Sequence, residues 1–145
     1  MFEIGTDGPS LILVGIDGSD TSMRAGAYAA GLARRQGARV VCLYVAQISG
    51  AAAGVPSAVG ALLQMHASVA AELRATMASR APVLGIEATF VERRGDPYTE
   101  IVRLADEMRV DAVVVGASTH TGHRFVGSLA LRLVRDARWP VTVVP

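Results

Sequence analysis

Two segments of the sequence combine polar side chains, glycine and the start of a predicted helix, a combination suited to binding a small polar ligand. The first follows an apolar run at residues 11–16 and begins with Asp17, whose carboxylate can accept hydrogen bonds from a base or a ribose. The same carboxylate can equally organise the turn into the next helix, with Ser22 as the candidate N-cap. A second apolar run ends at Val45, whose backbone would face the same crevice. These observations predict a ligand site where the two runs end.

The second segment, residues 116–128, has the composition of a phosphate-binding loop. Gly116 and Gly127 have no side chain and let the backbone approach a ligand closely, while Ser128 adds a hydroxyl at the start of a helix. A helix N-terminus offers free amide groups and partial positive charge to an anion. Arg124, in the same loop, would add a full positive charge. Together these residues predict a phosphate cradle.

The same loop contains His120-Thr121-Gly122-His123, which has the HxGH form that nucleotidyltransferases use to stabilise a departing pyrophosphate. In that class the motif follows the first strand, whereas here it follows the fourth predicted strand. The chain also has no lysine to assist the phosphates, because all 14 basic residues are arginine. Without a cysteine or third histidine nearby, the histidine pair predicts no metal site. Nucleotidyl transfer by His120 and His123 remains the enzymatic alternative.

The elements that must position these segments are visible as alternating patterns. Apolar runs rich in β-branched residues predict five buried strands at residues 11–16, 38–45, 86–91, 111–115 and 141–144. Helical spacing of apolar residues predicts four helices between them, at residues 22–35, 58–80, 99–108 and 128–138. Alternation with short connections indicates right-handed βαβ crossovers and a parallel sheet in an α/β fold. Ligands are then expected at the carboxyl ends of the strands.

The length of 145 residues predicts one domain over residues 1–145, with residues 1–10 as a poorly ordered lead-in and residues 46–57 as a flexible flap. Although 51% of the residues are hydrophobic, no run approaches the roughly 18 apolar residues of a membrane span. The net charge of +1 gives no reason to expect nucleic acid or a membrane surface as partner. The single cysteine, Cys42, fits a reducing cytoplasm.

The last predicted strand, Val141–Val144, is apolar and ends the sequence. A strand in that position is expected at an edge of the sheet, where its outer N–H and C=O groups have no partner within the chain. Proteins usually cover or pair such an edge. We therefore expect a homodimer in which Val141–Val144 pairs with a second copy.

Five motifs spread over nearly the whole chain resemble those of universal stress proteins. They are Val14-Gly15-Ile16-Asp17-Gly18-Ser19, Leu43-Tyr44-Val45, Gly95-Asp96-Pro97, Asp111-Ala112-Val113-Val114-Val115-Gly116 and Pro140-Val141-Thr142-Val143-Val144. The resemblance implies a dimeric, flavodoxin-like sandwich of the adenine-nucleotide alpha-hydrolase type, with five parallel strands and four helices. It also implies a stress-response module that often binds ATP or another adenine nucleotide, such as AMP or cyclic AMP, and has no established reaction.

Carried over by position, the resemblance implies a site with two parts. Asp17 and the backbone of Val45 would lie near adenine and ribose. Gly116, Gly127 and Ser128 would hold phosphates.

The loop departs from the family's ATP-binding pattern in two places. Thr119 occupies the position of the second glycine, and seven residues instead of nine separate it from Gly127. A shortened loop looks like the branch of the family that does not bind ATP, whereas the retained Gly127 and Ser128 look like the binding branch. Thr119 and Arg124 remain candidate ligand contacts. The alternative is a family member that binds no ATP and acts through protein partners.

Overall fold

The computed structural model describes residues 8–48, 54–120 and 123–145. In chain order the elements are β1 (Leu11–Gly15), α1 (Asp20–Gln36), β2 (Arg39–Ala46), α2 (Pro56–Leu84), β3 (Glu87–Arg94), α3 (Pro97–Met108), β4 (Ala112–Gly116), β5 (Ser118–His120), β6 (His123–Phe125), α4 (Ser128–Asp136) and β7 (Val141–Val144). The predicted lead-in lies largely outside the described residues, as do residues 49–53 of the predicted flap. None of the helices described is both long and apolar enough to cross a membrane.

The main sheet has the strand order β3-β2-β1-β4-β7, and all four of its pairings are parallel. Four helices cover its two faces, so the predicted five-stranded parallel sheet between helices is confirmed. From β1 the chain moves outward through β2 to β3 and then returns to the other side of β1 at β4. The carboxyl ends of β1 and β4 therefore flank the point where the strand order reverses, which is where open α/β sheets form a crevice.

The side chains of β1 alternate between two separate cores, as the period of a strand requires. Ile12 and Val14 pack toward α1 and α2 in a core that also contains the small side chains of Ala29 and Ala33. Leu13 packs on the opposite face with larger side chains, namely Ile101 and Leu104 from α3 and Leu133 from α4. On the face covered by α1 and α2, the buried side chains that α1 contributes to the core are thus all small.

Two local predictions require correction. Ser22 is not the N-cap of α1, because the helix begins at Asp20 and Ser19 accepts the capping hydrogen bond from the Ser22 amide at 3.3 Å. The segment from residue 116 to 128 is not an open loop either. Its strands β5 and β6 form an antiparallel hairpin in which Thr119 lies opposite Arg124. The turn residues 121 and 122 lie outside the described part of the chain.

Candidate functional site

A cavity of about 350 Å³ opens at the carboxyl ends of β1, β2 and β4, at the point of strand-order reversal. We call it the strand-end cavity. Apolar walls come from the strands and from the first turns of α3 and α4, and include Ile16, Leu43, Val115, Ile101 and Leu129. Polar groups come from the segments that follow all three strands, namely Asp17, Ser19, Thr21, Ser22, Gln47, Ser118 and Thr119. The lining is about equally polar and apolar, and a concave pocket at the strand ends with convergent polar groups is a usual form of a small-molecule site.

Asp17 enters the strand-end cavity from the turn between β1 and α1. Its Oδ1 atom accepts a hydrogen bond from the Ser19 amide at 2.8 Å, and its own amide donates to the Ser22 hydroxyl at 3.2 Å. Gly18 lies between them with φ of 89°, a left-handed conformation that favours glycine. Both functions considered for Asp17 are therefore compatible, because one oxygen organises the turn. The other oxygen, Oδ2, forms no hydrogen bond with the described residues.

The electrostatics of Asp17 favour the ionised carboxylate. Partial desolvation pushes the pKa of Asp17 upward, but hydrogen bonding within the turn, chiefly with Ser19, outweighs this and leaves the pKa below its ordinary value of 3.8. Asp17 also acts on its surroundings. Together with burial, its negative charge raises the pKa of the Tyr44 hydroxyl, which therefore stays protonated near neutral pH.

The start of α1 is held directly against the end of β4. The Thr21 hydroxyl is buried and donates a 2.6 Å hydrogen bond to the Ala117 carbonyl. At Gly116, a Cβ atom would stand only 2.5 Å from the carbonyl carbon of Thr21 and 2.6 Å from the Ser22 amide nitrogen. Gly116 therefore lines the strand-end cavity and also permits the close approach of α1 to β4. The glycine pattern revealed this position, but the reason for it requires the packing.

The β2 side of the cavity is tied to α2 by a histidine that the sequence suggests only as a packing residue. The two ring nitrogens of His66 contact the Tyr44 hydroxyl at 2.5 Å and the Gln47 carbonyl at 2.9 Å. Gln47 and Val45 both line the cavity. His66 thus positions the backbone that follows β2 without itself lining the cavity. A lone histidine on an apolar helical face gives no sequence signal for such a contact.

The predicted phosphate residues divide into two groups. Gly116 and Thr119 line the cavity, whereas Gly127 and Ser128 are not among its lining residues. Gly127 is the N-cap of α4 and is buried against Ser118. A Cβ atom added at position 127 would lie 2.9 Å from the Cβ of Ser118. No side chain among the described residues caps α4. Its next two residues, Leu129 and Ala130, line the cavity, so the first turn of α4 adjoins it.

The charged and histidine side chains predicted for the segment 116–128 are not placed in the strand-end cavity. Arg124 belongs to β6, but its side chain lies outside what the structure describes, as does that of His120. His123 is exposed and does not line the strand-end cavity. Within residues 8–48, 54–120 and 123–145, no cluster of three or more His, Cys, Asp or Glu side chains is arranged to hold a metal ion.

A parallel sheet in this order, with helices on both faces and a cavity at its strand ends, defines a doubly wound α/β sandwich. Residues 10–145 match the universal stress protein family, and the chain belongs to that family. It is 30% identical over 140 residues to a universal stress protein of Methanocaldococcus jannaschii, covering 92% of this chain and 80% of that protein.

Solved structures of universal stress proteins have a similar fold over almost the whole of this chain. Universal stress protein UspA from Lactobacillus plantarum is 27% identical and superposes with a TM-score of 0.78, covering 94% of this chain and 97% of that one. A universal stress protein in complex with cAMP is 25% identical, with a TM-score of 0.61, and the match covers 96% of this chain and 98% of that one.

Proposed function

We propose that this chain is a single-domain, homodimeric stress-response protein that binds an adenine nucleotide in the strand-end cavity and catalyses no reaction on it. The observation that carries the proposal is the Asp17 carboxylate, ionised and with Oδ2 unpaired within the described residues, in a cavity with both polar and apolar lining at the sheet's reversal point. A cytoplasmic location accords with the single, buried cysteine.

The cavity offers each part of a nucleotide a matching surface. A purine ring would lie between apolar side chains such as Leu43 and Val45. Ribose hydroxyls would donate to Oδ2 of Asp17, since a charged acceptor forms the stronger hydrogen bond. The phosphate would lie toward the Thr119 hydroxyl and the uncapped first turn of α4, where free amide groups favour an anion.

We further propose that one phosphate is preferred to three. The cavity is near the lower end of the roughly 300–1,000 Å³ range of ligand pockets. The hairpin of β5 and β6 brings Ser118 so close to Gly127 that an added Cβ would overlap the Ser118 hydroxyl oxygen, so this part of the predicted cradle is tightly packed. The solved relative in complex with cAMP supports a monophosphate ligand. We therefore expect AMP and cAMP to bind more tightly than ATP.

Titration calorimetry with AMP, cAMP and ATP tests both statements. Asp17→Asn removes the charged acceptor and should weaken AMP binding about tenfold, equivalent to about 1.4 kcal/mol. The matched control is Asp20→Asn, because Asp20 is exposed in the first turn of α1 and does not line the cavity. Equal losses in both variants would show that Asp17 does not contact the ligand.

Thermal unfolding gives an independent readout. A nucleotide at 100 times its dissociation constant should stabilise the protein by about 2.7 kcal/mol. Absence of a shift with all three nucleotides would overturn the binding proposal and favour the alternative, a ligand-independent protein that acts through protein partners. Release of pyrophosphate from ATP, abolished by His120→Ala, would instead support nucleotidyl transfer.

The dimer is proposed through β7, which occupies one edge of the sheet with every residue half-buried. The opposite edge, β3, carries exposed charges at Glu87, Glu92 and Arg94, which discourage pairing with another strand. Light scattering should give twice the chain mass of 15.1 kDa. A stable species of single-chain mass at high protein concentration would contradict this pairing.

A further inference from the structure

A second cavity, of about 270 Å³, lies between α1, α2 and the sheet. We call it the inter-helix cavity. Its floor includes Cys42 on β2 and Phe90 on β3, and its walls include Ala27 and Ala30 of α1 and Ala81 of α2. The cavity exists because α1 presents alanine where longer side chains would have filled the space. Only Ala70 of α2 is fully buried, so this long helix packs lightly against the sheet.

The lining of the inter-helix cavity is apolar apart from three side chains. Thr76 and Arg80 belong to α2, and Arg80 is exposed, so its positive charge stands where the cavity meets solvent. Arg80 makes no ion pair with the described residues. Arg74 of the same helix differs, because it pairs with Glu92 at 2.9 Å and stacks on the Phe90 ring at 4.7 Å. One arginine of α2 is therefore engaged and the other is available to an anion.

The third polar group is the thiol of Cys42. Its side chain is 6% exposed and lines the cavity, and it makes no hydrogen bond within the described chain. Burial raises the pKa of Cys42 to about 11, so the thiol is neutral near pH 7 and needs no counter-charge. A neutral thiol behaves as a small apolar group in such a floor.

We propose that the inter-helix cavity is a binding site for a small hydrophobic carboxylate, of the type of a medium-chain fatty acid. The apolar body would lie between the alanine walls and above Cys42, where it would displace water from apolar surface. Flexible Met23 and Met77 also line the cavity and can adjust to the ligand. The carboxylate would pair with the Arg80 guanidinium at the rim.

Calorimetry on the full chain with octanoate tests the charge and the apolar body separately. We expect one octanoate per chain, and binding at least tenfold weaker for octylamine, which has the same body and the opposite charge. Arg80→Gln should weaken octanoate binding about tenfold. Arg35→Gln removes the same charge from an exposed position of α1 outside the cavity and should change nothing. Equal affinity for octanoate and octylamine would overturn the proposal.

A second pair of variants locates the ligand. Ala81→Leu fills the cavity and should abolish octanoate binding, whereas Ala78→Leu places the same side chain on the exposed side of α2 and should not. Ala30→Leu fills the cavity from α1 and replaces Ala81→Leu if that variant does not fold. Octanoate binding that survives a folded filling variant would mean that the ligand lies elsewhere.

Cys42 provides a direct probe of occupancy because it is the only cysteine in the chain. A small uncharged thiol reagent should label Cys42 slowly, and octanoate should slow the reaction further in proportion to its bound fraction. The Arg80→Gln protein should need about tenfold more octanoate for the same protection. Labelling that is unchanged at saturating octanoate would overturn placement of the ligand above Cys42.

Discussion

Two aspartates stand at opposite ends of the sheet and are used in opposite ways. At the amino end, Asp111 precedes β4, and a single oxygen, Oδ2, accepts from the Ser10 amide at 2.9 Å, the Ser10 hydroxyl at 2.7 Å and the Leu11 amide at 2.9 Å. At the carboxyl end, Asp17 follows β1 and accepts the Ser19 amide at Oδ1. The three hydrogen bonds to Asp111 join β4 to the start of β1, so we call this the closed end of the sheet. Asp17 has one local hydrogen bond and lines the strand-end cavity, so we call its end the open end.

The surroundings of a carboxylate at a strand end, and not its residue type, decide what it does. Both carboxyls are partly desolvated, and hydrogen bonds outweigh this and lower both pKa values. The donors around Asp111 come from the chain entering β1, so they hold two strands in register. The donor to Asp17 is local, Asp17 lines the strand-end cavity, and its second carboxylate oxygen, Oδ2, has no hydrogen bond with the described residues.

The largest expected change in stability is at Gly116, where α1 packs against the carboxyl end of β4. Gly116→Ala places a Cβ at 2.5 to 2.7 Å from the backbone of Thr21 and Ser22, so α1 must move away from β4. We expect a loss of about 3 kcal/mol in the free energy of unfolding, measured by urea denaturation. Gly31→Ala is the control, since nothing lies within 4 Å of a Cβ there. Similar values for the two variants would show that α1 does not need the contact.

The sequence predicts only part of the structure around the contact between α1 and β4. Five apolar runs predict the strands because buried parallel strands are continuously hydrophobic. The hairpin of β5 and β6 was missed because its strands are three residues long and mostly polar. Gly116 is visible as a glycine, but its contact with Thr21 joins residues 95 positions apart in the chain. The inter-helix cavity likewise depends on how α1 and α2 meet, which local spacing does not determine.

The site residues show the same division. Asp17 and Thr119 lie just beyond the carboxyl ends of β1 and β4, and Val45 and Gly116 lie at the carboxyl ends of β2 and β4. These ends are predictable because apolar runs mark the strands. Their common position beside one cavity follows from the parallel topology. Thr21 and Gln47 were not singled out because threonine and glutamine near a turn carry no distinctive spacing. Binding by any of these residues stays a prediction until a nucleotide is tested.

The second-largest expected change in stability is at Asp111, at the closed end of the sheet. Asp111→Ala removes the acceptor for three donors and should lower the free energy of unfolding by about 2 kcal/mol, since hydrogen bonds to charged groups are the stronger class but these are partly exposed. AMP affinity should not change, because Asp111 lies at the opposite end of β4 from the cavity. Urea denaturation and calorimetry on one sample measure both quantities. If Asp111→Ala lost both stability and AMP affinity, the two ends of the sheet would not have separate functions.

Acid should remove the contribution of Asp111 gradually. Its pKa in the folded protein lies below the ordinary value of 3.8 because the hydrogen bonds from Ser10 and Leu11 outweigh desolvation. The unfolded chain therefore binds its proton first as the pH falls, and the stabilisation is complete above the unfolded value and lost as the pH drops through the folded one. The stability difference between wild type and Asp111→Ala should shrink below about pH 4. A constant difference down to pH 2 would contradict this cause.

The smallest effect on stability is expected at the open end, and it separates the two aspartates most clearly. Asp17→Ala removes one turn hydrogen bond from Ser19 and should lower the free energy of unfolding by about 0.5 to 1 kcal/mol, less than Asp111→Ala. AMP binding should nevertheless fall about tenfold or more, because the ribose loses a charged acceptor. A variant that loses as much stability as Asp111→Ala while keeping its AMP affinity would make Asp17 a second structural aspartate, and the two ends of the sheet would then be alike.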